Sequence, residues 1–212
     1  KLGFARAVAD RSDLAGMTAD LGRAWLLPTA YVKRHSACSF AHTTIDAVLS
    51  LTSGSPIPLD AIEHLTVRTH RFAADLDESD PRTLTAAKSS LPFCAALALV
   101  MGHPLLTDFT AEALADQRVR RLASRTTIVL DPALDSRHAA REDRRPVRVE
   151  LAMADGRCLM AERDVARGWP DDPLDPQDIT GKFQALVEPA YGPRAVCGLL
   201  DALASLDRKS VV

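Results

Sequence analysis

The usual signals of membrane and nucleic-acid binding are missing from this sequence. No apolar run reaches the roughly 18 residues that a membrane-spanning helix needs, and the longest, residues 91–101, is interrupted by Pro92. The formal net charge is −2, so the composition gives no reason to expect a nucleic acid or an anionic membrane as partner. No signal peptide is visible, and we therefore expect the protein in the cytoplasm.

Motifs of metal sites and of several enzyme classes are missing as well. The four cysteines, at positions 38, 94, 158 and 197, lie far apart and form no C-x-x-C pair. This spacing argues against a zinc ribbon and against an iron–sulfur cluster, and reduced thiols are expected. The sequence contains no Gly-rich phosphate loop, no G-x-S-x-G and no H-E-x-x-H.

The 212 residues, 47% of them hydrophobic, are sufficient for a sizeable core. Alternating apolar and polar residues predict strands over 65–70 and 147–153, and a β-branched run predicts a short strand over 126–130. Asp155-Gly156 predicts a hairpin with a returning strand over 157–165. We therefore predict an α+β fold, with helices packed on a mostly antiparallel sheet.

Helical segments surround these predicted strands. The apolar spacing predicts a helix over 43–53. Residues 84–100, the most hydrophobic and alanine-rich segment, are predicted to form a largely buried helix, at least from Pro92 onward, ended by Gly102. Asp175, followed by a proline, predicts a helix start, and a last amphipathic helix is expected over 193–206. Residues 133–146 carry many charges of both signs and are predicted to form a solvated loop.

One stretch, residues 31–47, concentrates chemically useful side chains. Lys33 and Arg34, two histidines, Cys38 and several hydroxyls precede the predicted helix over 43–53. Cations at a helix N-terminus, where free N–H groups point outward, predict a site for a carboxylate or phosphate. Three structural alternatives remain: a solvated Lys-Arg pair, a capping or packing role for His42, and an ordinary buried thiol at Cys38.

Three stretches in register resemble the MmgE/PrpD family, which contains 2-methylcitrate dehydratase and cis-aconitate decarboxylase. Residues 33–42 (KRHSACSFAH) resemble the family's K-R/x-[YF]-P-x-C-x-x-x-H segment. Residues 87–93 (AKSSLPF) resemble its A-[KR]-x-S-[LF]-x-[YF] run. Residues 169–174 (WPDDPL), followed by 181–183 (GKF), resemble its G-x-P-x-x-P-L…K-F tail.

The resemblance implies the family's smaller C-terminal α+β domain, over residues 31–205, preceded by a lead-in helical segment over 1–30. The chain begins at Lys1 without methionine, and we expect the family's all-helical N-terminal domain to be absent from it. That domain is an expected partner, together with a second copy in a homodimer. Members need no metal or organic cofactor, and they act on small di- and tricarboxylates by proton abstraction with loss of water or carbon dioxide.

The resemblance also assigns roles to residues. Lys33 falls on a lysine that lines the family's active site and is expected to pair with a substrate carboxylate. His42 falls on a recurrent histidine that orients the loop or touches substrate, and these two are the predicted catalytic residues. Lys33, Arg34, His35 and Phe93 are the predicted substrate-binding residues, and no metal ligand is predicted.

Two departures from the family pattern bear on the reaction. Phe93 stands where decarboxylase-like members have an active-site tyrosine, and a phenylalanine donates neither a hydrogen bond nor a proton. His35 and Ser36 replace an aromatic residue and a proline, which changes the shape of the loop. These departures weigh against cis-aconitate decarboxylase itself and leave the substrate open.

The leading functional hypothesis is that this chain is part of a lyase that dehydrates a hydroxy-polycarboxylate, as 2-methylcitrate dehydratase does. An epimerase or isomerase would share its proton abstraction and differ in the product formed in deuterated water; a decarboxylase is a further alternative. The third class is a non-catalytic carboxylate-binding domain. Since the family's other acid–base residues lie in the helical domain, this chain alone is expected to be inactive or nearly so.

Overall fold

The structure, a computed structural model, describes residues 16, 18–54, 57–103 and 105–206. The chain divides into two units, residues 1–30 and residues 31–212. In the first unit the described residues form turns and a short 3-10 helix, Leu27–Thr29, with no buried side chain. Most of the lead-in segment predicted to be helical lies outside the described residues.

The second unit contains a four-stranded mixed sheet in the order β2-β1-β3-β4. The strands are β1 Ile62–Thr69, β2 Thr126–Leu130, β3 Val147–Met153 and β4 Cys158–Arg163. β1 and β2 are parallel, whereas β1–β3 and β3–β4 are antiparallel. The predicted α+β class with a mostly antiparallel sheet is therefore confirmed.

Eight helices occur among the described residues. They are α1 His42–Thr52, α2 Arg71–Ala74, α3 Leu84–Ser89, α4 Leu91–Met101, α5 Ala111–Ala115, α6 Gln117–Ser124, α7 Pro132–Ala140 and α8 Pro176–Ala204. None of them combines the length and the apolar composition needed to cross a membrane.

The core lies between the sheet and helices α1, α4 and α6. Along β3, side chains alternate between buried (Val147, Val149, Leu151, Met153) and half-buried positions, as expected when one face of a sheet is covered. α1 packs on β3 and β4, and α4 packs against both α1 and α6. Every side chain of α4 from residue 91 to 99 is buried, which explains why this helix is apolar all round.

Local capping signals determine several helix ends. The Ser90 hydroxyl accepts a hydrogen bond of 2.9 Å from the Phe93 N–H at the start of α4, and Gly102 ends that helix with φ 69°. Asp175 caps α8, whose helical geometry is interrupted at Gly192. The two C-terminal helices predicted from sequence therefore form one helical stretch with a kink.

The predicted loop over residues 133–146 is wrong for its first half, where α7 forms instead. Asp131 Oδ1 accepts hydrogen bonds from the N–H groups of Ala133 (2.9 Å) and Leu134 (3.3 Å). Leu134 and His138 are buried on one side of the helix. A capped N-terminus and two anchoring side chains thus outweigh the charged composition of the segment.

Candidate functional site

The loop of residues 31–38 is fastened at its first residues to the segment at 168–169. The Val32 N–H donates to the Gly168 carbonyl at 2.9 Å, and the Tyr31 and Trp169 rings stack with centroids 4.0 Å apart. Gly168 has φ +100°, and a Cβ there would collide with the Val32 carbonyl oxygen. The two backbones approach this closely because residue 168 is a glycine.

A second attachment joins the middle of the loop to residues 105 and 106. The Ser36 N–H donates to the Leu105 carbonyl (2.7 Å), and its hydroxyl donates to the Leu106 carbonyl (2.6 Å). In return, the Leu105 N–H donates to His35 Nδ1 at 3.1 Å. Since a backbone N–H can only donate, Nδ1 carries no proton and the ring proton of His35 is on Nε2.

The buried carboxylate of Asp46, in α1, accepts three hydrogen bonds. Its Oδ1 accepts from His35 Nε2 at 3.0 Å and from Arg34 Nη1 at 3.2 Å, and its Oδ2 accepts from the Arg167 backbone N–H at 2.8 Å. Burial alone would raise the pKa of Asp46, but the hydrogen bonds from His35 and Arg167, with the Arg34 charge, lower it below its ordinary value. Arg34 and His35, both predicted to bind substrate, thus face a protein carboxylate.

The two predicted catalytic residues converge on one oxygen atom. The Ala37 carbonyl accepts from Lys33 Nζ at 3.1 Å and lies 3.4 Å from His42 Nε2. A carbonyl only accepts, so this contact places the His42 proton on Nε2. The structure therefore brings Lys33 and His42 together, through the backbone of the loop.

His42 is completely buried at the start of α1. Burial, and secondarily the neighbouring His35, lower its pKa to about 3, so the ring is neutral at physiological pH. Its Nδ1 is buried without a hydrogen-bond partner among the described residues. This position favours the predicted loop-orienting role of His42 over direct contact with substrate.

Lys182, near the beginning of α8, reaches the same loop. Its ammonium group donates to the Lys33 carbonyl oxygen. Burial, and secondarily the Lys33 charge, lower the pKa of Lys182, because both disfavour its protonated form. Among the described residues, neither lysine forms an ion pair with a carboxylate.

A cleft of about 200 Å³ lies between this loop and α8. Its lining residues are Arg34, Leu106, Leu174, Gln177, Asp178, Gly181 and Lys182. Asp178 is the acidic member, and its Oδ2 accepts from Arg167 Nη2 at 2.9 Å. With Asp178 paired to Arg167 and Arg34 paired to Asp46, Lys182 is the cation of this lining that has no acidic partner among the described residues, and a positive charge of this kind suits an anion.

Phe93 lies apart from the other predicted site residues. It is buried in the first turn of α4, and its ring lies 6.4 Å from that of Phe109, centroid to centroid. The other four predicted residues surround Ala37 and Asp46 instead. A contact between Phe93 and substrate stays a prediction.

Three residues of the site were not assigned by sequence reasoning: Asp46, Arg167 and Lys182. An acidic residue among the apolar positions of a predicted helix signals a buried carboxylate that needs donors, and Asp46 fits that description. Lys182 belongs to the GKF stretch at 181–183. Neither observation reveals which residues these side chains contact in space. Asp46 and its donor Arg167, for example, are 121 residues apart in the sequence.

Comparison with known proteins agrees with this architecture. Residues 35–206 match the family described as the MmgE/PrpD C-terminal domain. No curated protein matches the chain. Because the family match covers most of the chain, the chain belongs to the MmgE/PrpD family and carries its C-terminal domain.

Proposed function

We propose that this MmgE/PrpD domain is part of a lyase that dehydrates small di- or tricarboxylates, as 2-methylcitrate dehydratase does. One observation carries the proposal beyond family membership: Lys182 lines a cleft and its ammonium group contacts the Lys33 carbonyl oxygen, and neither lysine pairs with an acid among the described residues. A substrate carboxylate would neutralise that positive charge, so the site suits polyanionic substrates.

The chemistry assigns Lys33 an electrostatic role. Removing a proton from the carbon next to a carboxylate places additional negative charge on that group, and the neighbouring carbon–oxygen bond then breaks to release the hydroxyl as water. An ammonium group held beside the carboxylate stabilises this charge in the transition state. His42 holds the loop through the Ala37 carbonyl, which keeps the Lys33 ammonium in place.

The base that takes the proton and the acid that protonates the leaving hydroxyl are proposed to come from the family's helical domain. α8 supports such a partner, and a homodimer as well, because Val196 is its only buried residue among those described. Its exposed apolar side chains include Ile179, Leu186, Leu199 and Leu203. Helices with this pattern normally pack against another element.

We place the protein in the cytoplasm, where its four free cysteines would stay reduced.

A non-catalytic carboxylate-binding domain is the second candidate. It is favoured by the state of two predicted site residues: His42 is buried and neutral, and Phe93 has no ionisable group. In that case the cations would bind an acid without any turnover. An epimerase or isomerase would use the same cations and return the proton to the substrate carbon.

The test is an activity assay of the full-length protein. Formation or loss of unsaturated acid would be followed by ultraviolet absorbance with 2-methylcitrate, citrate and cis-aconitate, for wild type, Lys33→Ala and Arg157→Ala. Arg157 is a matched control because it is an exposed cation, paired with Asp155 in the β3–β4 hairpin.

Turnover that collapses in Lys33→Ala and persists in Arg157→Ala is the expected result. Binding of these acids without turnover would replace the lyase with the carboxylate-binding domain. Deuterium incorporation from heavy water without net loss of water would instead identify the epimerase or isomerase.

A further inference from the structure

Lys182 carries a positive charge in the candidate site, and no carboxylate among the described residues pairs with it. It lies at the seventh position of α8, a helix that starts at Pro176 and is capped by Asp175. This short distance from a fixed helix end limits where its side chain can reach. The side chain is half-buried, and its ammonium group contacts the Lys33 carbonyl oxygen.

A hydrogen bond to that carbonyl does not require a positive charge. A neutral amide would satisfy the same oxygen without bringing a second cation to Lys33. The charge of Lys182 is instead unfavourable here, since burial, and secondarily the Lys33 charge, disfavour its protonated form. In contrast, the nearby guanidinium groups of Arg34 and Arg167 are balanced by Asp46 and Asp178.

We propose that Lys182 is a substrate-binding residue, which together with Lys33 holds one carboxylate group of the substrate at the cleft beside Arg34. This inference rests on the proposed function for the chemical class of the ligand, a small polycarboxylate. It adds a residue from α8 that no prediction from sequence included. The repulsion between the two lysines is relieved when the anion binds, so the ligand stabilises the protein.

The experiment measures citrate binding to the full-length protein by isothermal titration calorimetry, and melting temperature with and without citrate. Three variants are compared with wild type: Lys182→Gln, Lys182→Arg and the distant Arg157→Ala. Glutamine keeps a hydrogen-bond donor and removes the charge, whereas arginine keeps the charge. Circular dichroism verifies that each variant is folded.

For Lys182→Gln we expect the dissociation constant for citrate to rise about tenfold or more, as for the loss of one charge-assisted hydrogen bond. Its melting temperature without citrate should be equal to or above that of wild type, because repulsion from Lys33 is gone. Lys182→Arg should lie between Lys182→Gln and wild type in affinity, and Arg157→Ala should match wild type.

A purely structural role gives the opposite pattern, with a lower melting temperature for Lys182→Gln and an unchanged affinity for citrate; that pattern would overturn the inference. The measurement is independent of turnover. If the protein has no lyase activity but its citrate binding depends on Lys182, this inference stands and the proposed lyase function is wrong. If the protein is a lyase but Lys182→Gln binds citrate as tightly as wild type, the lyase function stands and this inference is wrong.

Discussion

The positively charged side chains of two regions are neutralised in different ways. On the outer face of the sheet, Arg137 of α7 and Arg148 of β3 both pair with Glu162 of β4, and Arg68 pairs with Glu150. At the loop of residues 31–38, Lys33 and Lys182 donate to backbone carbonyls instead. The first region contains cations whose charge is balanced by carboxylates of the protein, and the second contains cations that have no such partner among the described residues.

The loop itself contains both arrangements. Arg34 is neutralised by Asp46, next to Lys33, which has no acidic partner among the described residues. Asp46 therefore distinguishes a cation with an acidic partner from a neighbouring cation without one among the described residues. The predictions below test this division, first by breaking the buried network and last by disturbing the exposed pairs.

The largest effect is expected from Asp46→Asn. The substitution removes the charge that balances Arg34 and disturbs the hydrogen bonds from His35 and Arg167. Breaking a buried charged network of this kind costs on the order of 4 kcal/mol of unfolding free energy. Urea denaturation measures it, with Glu162→Gln on the exposed face as control. Equal losses in the two variants would contradict the comparison.

The pH dependence of stability tests the burial of His42. Its pKa is about 3 when folded against 6.5 as the ordinary value, so the unfolded chain binds the proton more readily. The stability that the neutral ring contributes is present above pH 6.5 and is lost as the pH falls from there toward 3.

Between pH 6.5 and about pH 4.5 one such group accounts for on the order of 3 kcal/mol. We expect His42→Gln, which keeps a donor for the Ala37 carbonyl, to show a shallower loss of unfolding free energy over this range. His70, whose pKa is lowered to about 4 by burial and by His138, still titrates in the variant, so the slope does not vanish. Parallel pH profiles for the two proteins would refute a buried, neutral His42.

Gly168→Ala is expected to cost about 2 kcal/mol more than Gly156→Ala in unfolding free energy. Both glycines have a positive φ, but only at residue 168 would the new Cβ collide with another backbone, that of Val32. Chemical denaturation of both variants isolates this contact, because the strain of the positive φ is common to them. A similar cost at the two positions would show that Gly168 is not needed for the close approach.

The smallest effect belongs to the exposed pairs. Arg148→Ala removes an ion pair with Glu162 whose two side chains are about one third exposed, and such pairs contribute about 1 kcal/mol or less. Thermal melting at low and high salt is the measurement. A loss comparable to that of Asp46→Asn would show that exposed and buried pairs contribute alike.

The parts of the fold that follow from local sequence were predictable. The alternation over residues 147–153 and the caps at Asp175 and Gly102 depend on neighbours in the chain, and the structure has all three. The start of α7 shows a limit of this reasoning. Asp131 followed by a proline is the same helix-start signal as Asp175 followed by a proline, but the charged composition of residues 133–146 was given more weight.

Only the residues of the candidate site that are contiguous in the sequence were predictable. The cations and histidines of residues 33–42 are adjacent in the sequence, so their concentration is visible there. The donors and charges that complete the site come from residues 167 and 182, and no periodicity or spacing relates them to the loop. Whether Lys33 would be neutralised by an acid, or would face a second lysine, depends on packing that only the three-dimensional structure contains.

The contact between α8 and the loop has a consequence for the order in which the protein acquires its structure. Lys33 and Lys182 are separated by 149 residues in the chain, and closing so long a segment is entropically costly until the intervening core has formed. During synthesis, the loop emerges long before the helix that holds it. We therefore expect the loop to reach its final conformation among the last parts of the domain, so that only an almost completely folded chain captures the ligand.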